Sequence, residues 1–61
     1  AGAAMSMREA QSRLNSLGYN VGTPDGAAGP KTAKALREFQ QAQGLPVTGK
    51  LDAATAGALS R

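Results

Sequence analysis

Apolar positions recur at helical spacing in three stretches, separated by breaks rich in glycine. In the first stretch Met7, Ala10, Leu14 and Leu17 fall three or four residues apart and predict the buried stripe of a helix. Ser6 with Glu9 three residues on has the pattern of a capping box, which sets the start. Met5 and Ala10, on either side of that cap, could form a weak hydrophobic staple. Gly18 supplies the left-handed residue that ends the helix. In the second stretch Pro30 sits at the first helical position. At about 100° per residue, Thr32, Ala35, Leu36, Phe39 and Gln43 then share one side. Gly44 closes this helix, Leu45 folds back, and Pro46 bars continuation. Asp52 caps a short third helix that runs to about Leu59, where Ala56 and Gly57 permit close approach of a neighbour.

The connections follow from turn chemistry. From Gly18 to Gly29 the chain reads as a loop, in which Thr23-Pro24-Asp25-Gly26 fits a turn and Tyr19 and Val21 serve as apolar anchors. Leu45 to Leu51 reads as a short extended or turn segment. The eleven residues from Gly26 to Leu36 recur imperfectly 23 positions later, from Gly49 to Leu59. The pairs Gly26/Gly49, Thr32/Thr55, Ala33/Ala56, Ala35/Ala58 and Leu36/Leu59 match, and Gly29 falls opposite Asp52 at the helix start. Each copy reads as a turn feeding a helix, too short to bury anything alone, and the two can share a core if they pack against each other. The predicted fold is all-α, a small three-helix bundle with an internal turn-helix repeat, Gly-rich loops and negligible strand. Residues 1–5 are expected to form a flexible leader, and residues 6–60 one domain.

Composition narrows the function. A domain of about 60 residues buries only roughly 60% of the surface its unfolded chain exposes, so the core is thin. The chain has no cysteine to staple it and no histidine, which argues against a disulfide or a zinc site. Seven Lys/Arg against four Asp/Glu leave a formal charge of +3, which favours anionic partners without choosing among them. No stretch approaches the roughly 20 apolar residues that span a bilayer, so no membrane insertion is expected. No signal peptide is present in this chain.

Catalytic readings find little. Ser6, Ser12, Ser16 and Ser60 lack a histidine to activate them. Of the carboxylates, Glu9 and Asp52 are used at helix starts and Glu38 falls on a solvent face, which leaves Asp25 on a turn that a ligand could reach. Gly26 to Thr32 lacks the spacing of a phosphate-binding loop, and one carboxylate is too few for calcium. No metal or cofactor is expected, and the isolated domain is not expected to be an enzyme. Lys31, Lys34 and Arg37 fan across the side of the second helix opposite Leu36 and Phe39, as a solvated face would. That argues against a nucleic-acid partner. Arg37 and Gln40 lie toward one flank, where the wall of a groove would stand.

The ordered set Gln11-Ser12-Arg13-Leu14, Leu17-Gly18-Tyr19, Asp25-Gly26 with Gly29 and Thr32, Ala35 to Gln40, Gly44 to Gly49, and Thr55 with Leu59 resembles the bacterial peptidoglycan-binding domain. This three-helix module is found attached to cell-wall hydrolases and related envelope proteins, and the resemblance spans about Met7 to Leu59. It implies a non-catalytic module, monomeric and tethered in cis, that anchors a partner to peptidoglycan through a shallow groove of the second helix and adjoining loops. It also implies a location in the cell envelope, periplasmic or extracellular. Carried over by position, the ligand-binding candidates are Tyr19, Asp25, Arg37, Gln40, Gln41 and Thr48. One position departs from the family pattern: Ala28 stands where an aromatic or large apolar residue is common. With Tyr19 and Phe39 the only aromatics, recognition would fall to hydrogen bonds and charge toward stem-peptide carboxylates, with Arg37 the charged donor. The alternative is a protein-interaction or autoregulatory module of the same fold.

Overall fold

Residues 5–60 are described by a computed structural model. Three helices occupy the predicted places: α1 (Met7–Ser16), α2 (Pro30–Gln43) and α3 (Ala53–Leu59), with no strand among the described residues. Residues 1–4 of the expected leader lie outside the described residues, while Met5 packs against the core. Ser6 caps α1, its Oγ accepting from the Glu9 amide at 3.1 Å. The return half of the capping box is absent, because the Glu9 carboxylate turns instead to Arg13 at 3.1 Å. Pro30 opens α2, and Asp52 caps α3 by accepting from the Thr55 amide at 2.9 Å. At the far ends Gly18 (φ 95°) and Gly44 (φ 72°) take the left-handed conformation. Tyr19 then bonds back to the Leu14 carbonyl at 2.9 Å, and Leu45 back to that of Gln40 at 2.8 Å. Both connections therefore leave their helix in the same way.

Each helix packs on the other two. Ala10, Leu14, Val21, Ala35, Leu36, Phe39 and Leu59 form one buried cluster, with Tyr19, Leu45, Leu51 and Ala58 packed around it. Leu36 and Leu59, equivalent in the two repeats, thus meet in a common interior. Three stripe positions differ from expectation, the first being Met7, which is only half-buried and lies outside the core cluster. Leu17 is 57% exposed, because it is the last residue before the chain reverses at Gly18. Tyr19 takes the place it would have filled, setting its ring edge-on to Phe39 at 5.9 Å. Gln43 is exposed, and Gln40 is buried instead. The Arg13 guanidinium donates to the Leu59 carbonyl at 3.2 Å, which ties α1 to the C-terminal end of α3, where a cation is favoured.

Candidate functional site

Two glutamines build the surfaces a ligand would meet. Gln40 is fully buried at 0% exposure. Its Oε1 accepts from the Thr48 and Gly49 amides, both at 2.9 Å. Its Nε2 lies within donating distance of the Lys50 carbonyl and the Thr55 and Thr48 hydroxyls, at 2.9, 2.9 and 3.0 Å. Gln11, 1% exposed, does the same for the first turn. Its Oε1 accepts from Gly26 at 2.9 Å, while Nε2 donates to the Ala27 carbonyl at 2.8 Å and reaches the Thr32 hydroxyl at 3.0 Å. Gly26/Gly49, Ala27/Lys50 and Thr32/Thr55 are equivalent pairs of the repeat, so each turn-helix unit is clasped by a glutamine of the preceding helix. The two turn glycines adopt φ of 85° and 73°, conformations that L side chains rarely reach.

The structure divides the predicted contact residues. Gln40 is withdrawn from them, because its amide is enclosed and spent on the turn, leaving no surface for a ligand. Arg37, Gln41 and Thr48 are exposed, and the Arg37 side chain lies across Gly49, with Nε 3.1 Å from where a Cβ would stand. Arg37 and Gln41 are one helical turn apart and face the same way. The Thr48 hydroxyl donates to Asp52 Oδ2 at 3.1 Å. That bond, together with the larger contribution of Thr55 through side chain and backbone, holds the Asp52 carboxyl below its ordinary pKa. These residues gather on the turn between α2 and α3.

Asp25 is brought elsewhere, onto the turn between α1 and α2. Its Oδ1 accepts from the Ala27 amide at 2.9 Å, the local brace expected of an Asp-Gly turn. It borders a shallow depression of about 550 Å³ with Val21, Thr23, Ala27, Gly29 and Lys31. Tyr19 is half-buried against Phe39 and joins neither group by a hydrogen bond. The long first loop is held by Asn15, which accepts from the Val21 amide and donates to the Gly22 carbonyl, each at 2.9 Å.

A family model described as “Putative peptidoglycan binding domain” matches residues 5–59. The chain belongs to the peptidoglycan-binding domain family. The family is one of binding modules, and the resemblance noted in the sequence is borne out. The chain is 45% identical over 51 residues to the “Localization factor PodJL” of Caulobacter vibrioides, in each of two strains, covering 84% of this chain and 5% of that protein. It is also 48% identical over 40 residues to the human “Matrix metalloproteinase-21”, covering 66% of this chain and 7% of that protein. The chain thus spans a small fraction of the curated relatives it matches. No solved structure matches it.

Two residues that the sequence reading did not single out, Arg8 and Gln11, stand beside the first turn. Their signal is a second repeat: Arg8-Glu9-Ala10-Gln11 on α1 and Arg37-Glu38-Phe39-Gln40 on α2. Arg37 lies over Gly49 with the far part of its side chain, whereas only the Cβ of Arg8 comes near Gly26, 3.9 Å from where a Cβ there would stand. Ala28, on the same turn, is exposed.

Proposed function

We propose that this domain is a non-catalytic module that holds an associated protein on bacterial peptidoglycan. The contact surface is the turn between α2 and α3, with Arg37 as the charged donor and Gln41 and Thr48 beside it. The observation that carries this reading, beyond family membership, is the placement of Arg37. Its guanidinium is exposed, makes no ion pair among the described residues, and is propped over a turn that Gln40 fixes from beneath. A braced, unpaired guanidinium suits bidentate recognition of a carboxylate, the group that stem peptides present.

Asp25 and Tyr19 are secondary contacts on the first loop. The domain works at the cell envelope, periplasmic or extracellular, as a monomer tethered in cis. A shallow surface poor in aromatic rings binds weakly alone, with Kd of about 10⁻⁴ to 10⁻³ M, and gains from tethering. Co-sedimentation with purified sacculi tests the reading. Arg37→Ala should weaken retention by about tenfold with the helical circular dichroism unchanged. A domain that stays wholly in the supernatant at low salt contradicts it.

A further inference from the structure

Arg8 on α1 is the counterpart in sequence of Arg37 on α2. Each arginine lies three residues before a glutamine that clasps a turn glycine, although the Arg37 side chain lies across Gly49 while only the Cβ of Arg8 approaches Gly26. Arg8 also borders a shallow depression of about 600 Å³, whose other walls are Ser6, Glu9, Ser12, Thr23 and Pro24. The one carboxylate in those walls, Glu9, is already held by Arg13 through its Oε2, 3.1 Å from one guanidinium nitrogen and 3.4 Å from Nε. Arg8 makes no ion pair among the described residues. The depression therefore combines a free guanidinium with the hydroxyls of Ser6, Ser12 and Thr23, a donor-rich lining matched to a carboxylate.

We infer that the domain has two carboxylate sites, Arg37 beside the second turn and Arg8 in the depression beside the first, so that one module engages two stem-peptide carboxylates at once. The inference rests on the peptidoglycan reading for the ligand class, and, for the second site, on the duplicated Arg-Glu-x-Gln sequence and the hydroxyl-lined depression at Arg8. Two weak sites on one rigid body turn the second contact into an intramolecular event, which raises retention on a polymer that repeats the same group.

The test titrates the ¹⁵N-labelled chain with an acetylated alanine dipeptide bearing a free C-terminal carboxylate, and with its C-terminal amide as control. The carboxylate should shift the amides of Gly26 and Ala27 as one set and those of Gly49 and Lys50 as another, and the amide form should shift neither. Arg8→Gln should silence the first set alone, and Arg37→Gln the second alone. On sacculi each variant should bind about tenfold more weakly, and the double variant about a hundredfold. Shifts confined to Gly49 and Lys50, a Gly26 response that survives Arg8→Gln, or no response to the dipeptide would overturn the second site. Sacculus binding without a Gly26 response overturns this inference and leaves the anchoring role standing. A two-set response without sacculus binding does the reverse.

Discussion

Gln40 and Gln41 are the same residue type side by side on one helix, and the fold assigns them opposite work. Replacing the buried Gln40 by Leu would strand the Thr48 and Gly49 amides and the Lys50 carbonyl without partners. Leaving buried polar groups unsatisfied costs about 1–3 kcal/mol for each. In a domain this small, Gln40→Leu should therefore lower stability by about 3 kcal/mol or more in urea unfolding. Gln41→Ala, on the exposed face, should change it by under about 0.5 kcal/mol. Equal small effects would mean that the clasp does not hold the turn. Sequence alone does not separate the two glutamines, because a polar residue on a helix reads as solvent-facing until the turn it clasps is known. The duplicated Arg-Glu-x-Gln did carry the signal, since a glutamine at the same place in both copies suggests a shared structural task.

At the scale of elements, the helix boundaries were legible because their chemistry is local. Ser6, Pro30 and Asp52 start helices through caps and fixed φ, and Gly18 and Gly44 end them through left-handed backbone. Leu17 was misplaced because helical periodicity continues past the point where Gly18 reverses the chain. Its replacement in the core by Tyr19 depends on where α2 presents Phe39, which no local pattern encodes. The α3 cap yields a pH prediction. Hydrogen bonds from Thr55 and Thr48 hold the folded Asp52 carboxyl below its ordinary pKa, so in the acid range the unfolded chain binds more protons than the native one. The stabilisation is complete above the unfolded carboxylate value, near 4, and is lost as pH falls through the lower, folded value. Thermal melts should accordingly drop in Tm below about pH 4. Asp52→Asn, which keeps a capping oxygen but does not titrate, should flatten that drop. An unchanged acid profile in Asp52→Asn would show that the cap does not couple to protonation.

Across the whole molecule, the internal repeat explains both the core and the surface. Leu36 and Leu59 close one interior, and each of the two equivalent turns is clasped by a glutamine of the preceding helix. The contact surface was only partly legible in the sequence. Arg37, Gln41 and Thr48 do share one turn, whereas Asp25 belongs to the other, because the long α1–α2 loop is pinned to α1 by Asn15 and Gln11 rather than to α2. The proposed anchoring role draws on the second of these turns, where Arg37 lies across Gly49. The most direct test of that account is to incubate the chain with purified, dye-labelled sacculi, then measure pelleted protein and released dye together. Saturable pelleting that falls in the Arg37→Ala variant, with no dye released, is the predicted result. Protein left in the supernatant, or dye released in proportion to protein added, would contradict it.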